Sequence, residues 1–397
     1  MKKALLLTTA ITMMAFNAQA KMFELHLVQG TIDETRGFDS VMDIFDYYQD
    51  GGFDSIFSGY VDDSTVTNFT LNFRGIDLTL DYAANNDLTF SIPSLGITKN
   101  FGDGTGTQKS NFKELKDWLK DNKDGLLTKI LKSTVADTPY DMVAGNPNSL
   151  MANMADNSFQ RGGGGVLGNF LSYVSPNAST HHFKLNGDSK KATVYSLPMG
   201  KTFKFDNGSK LMFDMPLYYT DMDGSASYST QLGIGYMFPV IKKEGFKWNL
   251  TPDIRGGAVY SEDMLSGGLL YSGSLTSHMS MPVGDFTYGL TNMAGYIRDF
   301  SVKAAGYEVD YDLKNMVYKN GVSVDYALND KWSLGTAYSY TFYSGSELFI
   351  DEYHDVTLSL TRKFREGSFF SGMAFVGNYS FDGDDYYAYR VGLNFLF

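Results

Sequence analysis

Between residues 227 and 238 large and small side chains alternate without a break. Tyr228, Thr230, Leu232, Ile234, Tyr236 and Phe238 fall on one face of an extended chain, and Ser229, Gln231, Gly233 and Gly235 on the other. The same texture recurs. In 246–260, Phe246, Trp248, Leu250, Ile254, Ala258 and Tyr260 oppose Lys247, Asn249, Thr251, Asp253 and Arg255. In 332–342, Trp332, Leu334, Tyr338, Tyr340 and Phe342 oppose Ser333, Gly335, Ala337, Ser339 and Thr341. Each run is about 10–15 residues long. A soluble strand averages about 5–6 residues, whereas a tilted strand crossing a bilayer needs about 9–11. Run length therefore selects a membrane β-barrel over a soluble sandwich. The 27 Tyr, 30 Phe and 41 Gly against 9 Pro, at a mean hydropathy of -0.21, suit a wall that is apolar outside and polar inside.

The first twenty residues, MKKALLLTTAITMMAFNAQA, have a basic start (Lys2, Lys3), an apolar middle and a small-x-small end at Ala18-Gln19-Ala20. They read as a secretory signal peptide cleaved after Ala20, which sends the chain out of the cytoplasm. Loss of Lys2 and Lys3 takes the formal charge from -12 to -14. That acidity argues against nucleic acid as a partner. With no cysteine there is neither a disulfide nor a thiolate metal site. No mature stretch is apolar for long enough to form a transmembrane helix.

Residues 21–147 have a different texture and read as a small α+β domain. Strands are expected near 64–74, 76–82, 88–92 and 96–101, followed by a flexible loop at 102–108. Asn111, with Glu114 three residues on, reads as the cap of a helix carrying Phe112, Leu115, Trp118 and Leu119. A second short helix follows Gly125, and a further one is expected from Asn148 to Phe159. The segment 148–176, with its glycine run at 162–165, reads as a linker.

From residue 177 to 397, short turns alternate with more acidic connections, which counts out about twelve antiparallel strands. Even parity leaves both barrel ends on one side, and the short-turn side is expected to be periplasmic. In the last strand, Tyr387, Tyr389, Val391, Leu393, Phe395 and Phe397 form one apolar face. This ending resembles the C-terminal signal of Gram-negative outer-membrane barrels. The resemblance implies that Tyr389, Val391, Leu393, Phe395 and Phe397 are read by the barrel-assembly machinery. A preceding domain ahead of a barrel of about twelve strands resembles the autotransporter arrangement, of the solitary-barrel kind. That resemblance implies a barrel that anchors or displays the N-terminal domain, and a helix threading the lumen within 148–174. The expected surroundings are outer-membrane lipid and lipopolysaccharide, around a monomeric barrel.

Candidate chemistry is sparse, and no catalytic residue, metal or cofactor is expected. His278, Ser280 and Asn292 resemble the triad of outer-membrane phospholipases, but alternation places Asn292 on the face opposite the other two. Asp351, His354 and Asp355 read as an acidic cluster at an outer rim, and adjacent His181 and His182 point to opposite faces. Asp214, Asp253, Arg255, Arg390 and Lys247 are expected in the lumen, where burial requires pairing. Two functions stay open: display of the N-terminal domain, or a porin-like channel for small solutes with that domain periplasmic or plugging.

Overall fold

The computed structural model describes residues 22–40, 43–44, 47–48, 53–63, 65–120, 125–163, 172–185, 187–264, 266–304, 307–365 and 368–397. The leader read from residues 1–20 lies outside them, as does the second half of the glycine run.

The N-terminal domain is a six-stranded antiparallel sheet ordered β2-β1-β3-β4-β5-β6. Its strands are β1 (Phe23–Gln29), β2 (Ile32–Phe38), β3 (Thr67–Phe73), β4 (Ile76–Tyr82), β5 (Leu88–Ile92) and β6 (Ile97–Phe101). One face carries the alternate apolar residues Phe23, Leu25, Leu27, Phe69, Leu71, Leu88 and Phe90, all buried. A one-turn helix α1 (Phe53–Ile56) and helix α2 (Gln108–Lys120) belong to the same domain. On α2, Trp118 packs edge-on to Phe90 and Phe101, with ring centroids 6.3 and 5.7 Å away. The other sheet face is polar, tied by cross-strand bonds from Asn68 to Asp81, Asn72 to Asp77 and Thr89 to Asn100. α2 starts three residues before the expected cap. Thr107 and Ser110 exchange backbone-to-hydroxyl bonds at its start, while Asn111 is buried within the helix and donates to the Asn86 carbonyl.

Helix α3 (Leu126–Asp137) leads into a neck, 138–149, and then into helix α4 (Leu150–Arg161). Every residue from 138 to 155 is buried. Ser149 caps α4 by accepting from the Ala152 amide, and the helix stops at Gly162.

The remaining strands close into an antiparallel barrel. The first three are each split by a proline, which removes a ladder donor without changing register. Thus β7 (Ser172–Val174) and β8 (Asn177–Leu185) are one strand broken at Pro176. β9 (Asp188–Leu197) and β10 (Met199–Lys204) are broken at Pro198, and β11 (Lys210–Asp214) and β12 (Leu217–Met222) at Pro216. The others are β13 (Ser225–Lys243), β14 (Phe246–Ser261), β15 (Ser266–Val283), β16 (Phe286–Phe300), β19 (Lys314–Ala327), β20 (Trp332–Gly345), β21 (Glu352–Lys363), β22 (Gly372–Phe381) and β23 (Tyr386–Leu396). A small hairpin, β17 (Val302–Ala304) and β18 (Tyr307–Val309), decorates one connection. β23 pairs with both β7 and β8, so twelve strands close on themselves. The barrel begins at Ser172 rather than 177, because the break at Ser175-Pro176 hides the first three residues from an alternation count.

The exterior is apolar. Leu232 is 65% exposed, Ile254 63% and Leu358 58%, in a band between two rings of aromatics. One ring includes Tyr195, Tyr219 and Tyr228, and the other Phe203, Phe286, Tyr326 and Trp332. Water would not leave such a band uncovered, whereas a bilayer would cover it. On β23 the odd positions Tyr387, Tyr389, Val391, Leu393, Phe395 and Phe397 lie on this outer side.

The two mouths differ. Phe397 lies at the mouth closed by the turns near 205–209, 244–245, 284–285 and 328–331, here called the terminal mouth. The other, the loop mouth, carries the connections 262–265, 301–313, 346–351 and 382–385.

Candidate functional site

The N-terminal domain sits on the loop mouth. Asp223, in the turn after β12, accepts from Tyr140 Oη of the neck at 3.4 Å. Lys132 of α3 pairs with Asp312 at 2.8 Å, and Ser225 Oγ donates to the Asp39 carbonyl at 2.7 Å. The loop 346–351 joins α3 and the neck by backbone bonds, from Phe349 N to Val135 O and from Ile350 N to Gly145 O, both 2.9 Å.

Asp141 is the centre of this contact. Its carboxylate accepts from Val143 N (2.8 Å), Ala144 N (3.3 Å), Thr134 Oγ1 (3.1 Å), Tyr311 Oη (3.2 Å) and Arg74 Nη1 (2.9 Å). Arg74 and Asp141 are both fully buried. Arg74 lies in the two-residue β3–β4 turn, with φ +52° there and +86° at Gly75, the signature of a type I′ hairpin. Gly75 faces Thr138, 2.9 Å from where a Cβ would stand. One carboxylate therefore joins the domain (Arg74), the neck and a barrel connection (Tyr311). Around it, burial pushes the Asp223 carboxyl up to about 6, and hydrogen bonds from Lys132 and Lys314 hold the Asp312 carboxyl down at about 2.

From the neck, α4 descends through the lumen. Its start meets Gly257, where a Cβ would lie 2.8 Å from Leu150 and 3.2 Å from Met154. Halfway down, Phe159 comes 2.9 Å from the Cβ position of Gly321. At the end, Gly162 abuts Thr276, and Gly163 lies against the His278 ring. The inward glycines of the alternation are thus where the wall makes room for the helix.

Two charge clusters bolt α4 to the wall. In the first, Arg255 binds Asp214 at 2.7 Å and Asp253 at 2.9 Å. Arg161 of α4 joins the same two carboxylates, with Asp253 at 3.0 Å. Ser158 of α4 donates to Asp253 at 2.7 Å and accepts from Arg255 Nε at 2.8 Å. In the second, Lys319 bridges Asp156 of α4 at 2.6 Å and Asp355 of β21 at 2.8 Å. Tyr353 donates to Asp156 at 3.3 Å, and Ser380 to Asp355 at 2.6 Å. Each buried charge here has an opposite charge beside it, the condition under which burial is tolerated.

Asp214, Asp253, Arg255 and Arg390 all face the lumen. Two other placements read from the sequence are corrected. Lys247 is exposed at the terminal mouth, because its strand starts there and its lumen-side parity has no lumen around it. Asp355 does not join Asp351 and His354 at a rim. It points inward to Lys319, while His354 points outward, bonded to Tyr338 and stacked on Tyr340. His278 and Ser280 face inward and Asn292 outward. His181 is buried inside, and His182 stacks on Tyr387 outside. Sequence reading passed over Arg74, Asp141, Asp156, Arg161 and Lys319. Lys319 had a detectable signal, since it alternates with the outward Tyr318 in a long strand.

No family model matches the chain, and no curated protein matches it. Among solved structures it is similar to the translocator domain of the autotransporter NalP from Neisseria meningitidis, with 12% identity and a TM-score of 0.43 over 62% of this chain and 96% of that one. It is also similar to the transport unit of the autotransporter AIDA-I from Escherichia coli, with 10% identity and a TM-score of 0.40 over 57% and 90%. An outer membrane channel from Pseudomonas putida matches at 11% identity and a TM-score of 0.42 over 57% and 96%.

Proposed function

We propose that this chain is a non-enzymatic outer-membrane anchor that displays its own N-terminal domain at the cell surface, in the autotransporter manner. One observation carries the reading: the domain and Phe397 lie at opposite mouths, and the chain crosses the lumen between them as α4. Outer-membrane barrels keep short turns on the periplasmic side and longer loops outside. That rule puts the terminal mouth in the periplasm and the domain outside. The alternative, a porin-like channel, loses support from the same helix, which occupies the lumen and is bolted to it at two levels.

The test is an epitope inserted between Gly104 and Thr105, in the exposed 102–107 loop, exposed to protease in intact cells and in cells with a permeabilised outer membrane. Digestion in intact cells is the expected result. Digestion only after permeabilisation would overturn the reading and favour a periplasmic domain.

A further inference from the structure

α4 does not fill the lumen. It packs toward β13–β16, and a cavity of about 150 Å³ remains between it and the strands around the closing seam. That is well above the roughly 10–15 Å³ a cavity needs to admit one water, and leaves room for a small polyatomic ion. Its wall is mixed: Val194, Met212 and Val376 line part of it, and Asn157, Tyr218 and Arg390 bring polar groups to it.

Arg390 stands out on this wall. It lies at mid-height on β23, directly across from Asn378 on β22 and Ser179 on β8. It lines both this cavity and a smaller one of about 50 Å³ beside Lys319. Arg161, Arg255 and Lys319 between them contact the carboxylates Asp156, Asp214, Asp253 and Asp355. Among the described residues Arg390 belongs to no ion pair and no hydrogen bond, so its charge is balanced only at a distance. A guanidinium carries five N–H donors in a planar fork that matches two oxygens of one anion. Its ladder neighbours Asn378 and Ser179 are neutral and bring no negative charge to it. The cavity thus has donors to offer, and its carboxylates are already occupied.

We propose that Arg390 is the centre of an oxyanion site inside the barrel. The ligand class is a small anion with at least two acceptor oxygens, such as inorganic phosphate, sulfate or a short carboxylate. Bound there, it would stand between the last strand and the Asn157 side of α4.

The test is calorimetric titration of the folded full-length chain in detergent with phosphate, sulfate and acetate, against chloride at constant ionic strength. Saturable binding of at least one oxyanion is expected, weakened tenfold or more in Arg390→Gln. Asn378→Asp supplies a second arm that keeps Arg390. Its new carboxylate faces the guanidinium and should suppress binding while raising the temperature at which the barrel unfolds on a gel. A hydrated cavity only, with no saturable binding by the unaltered chain, would overturn the proposal. So would an affinity unchanged in both variants.

Discussion

Replacing Arg74 with methionine should loosen the N-terminal domain from the barrel, and the size of the effect follows from what each partner keeps. Asp141 would retain four donors, from Val143, Ala144, Thr134 and Tyr311, but lose the cation at 2.9 Å. Removing one member of a buried pair costs about 3–5 kcal/mol. Part of this is returned, because Arg74 Nε and Nη2 are buried without partners, each a liability of about 1 kcal/mol or more. The net loss should be about 1–3 kcal/mol, or roughly 5- to 150-fold more frequent opening of the neck. Hydrogen exchange at the Val143, Ala144 and Leu150 amides, with barrel amides as reference, reads that opening directly. Adding Asp141→Asn removes the orphaned charge and should return most of the protection. Exchange in Arg74→Met within about threefold of the unaltered chain would refute the claim that Asp141 couples domain, neck and barrel.

Three further outcomes are expected. Lys319→Met leaves Asp156 and Asp355 facing each other without a cation. It should lower barrel stability by about 3–5 kcal/mol in urea titrations at neutral pH. Gly257→Leu drives a side chain into Leu150 and Met154, and should cost about 1–3 kcal/mol and expose α4 to exchange. Gly256→Leu, whose Cβ would meet nothing within 4 Å, is the matched control. The docked state should strengthen as pH falls from about 6 towards 4. Asp223 is raised to about 6 when folded against 3.8 otherwise, so the folded state binds the extra proton in that window, for at most about 3 kcal/mol. Asp223→Asn should abolish that pH dependence of neck exchange.

The lumen helix explains an arrangement that would otherwise be costly. The charges of the two clusters are tolerable in a barrel interior because α4 contributes Asp156, Ser158 and Arg161 at the heights where the wall offers Lys319, Asp253 and Asp214. The helix and the wall are each electrostatically incomplete alone. Assembly in the right register is therefore favoured over any slid position, in which these charges would be buried unpaired.

Alternation, strand length and turn chemistry are local properties. They determined the barrel, its twelve strands and the outward face of β23 before any contact was known, because a period of two admits only two faces. They also separated Asn292 from His278 and His181 from His182. Parity, however, gives a face and not a height. It put Lys247 on the lumen side without revealing that its strand begins outside the lumen, and proximity in sequence to His354 drew Asp355 to a rim. Proline at 176 concealed where the barrel starts, since one missing alternation outweighs three residues of strand. The partners that hold the molecule together are separated by 67 residues for Arg74 and Asp141 and by 163 for Lys319 and Asp156. No local pattern encodes such pairs, because a buried charge is satisfied by whatever the closed barrel brings beside it. Which mouth carries the domain was likewise decided only by the fold, through the neck and helix that lead the chain across the lumen.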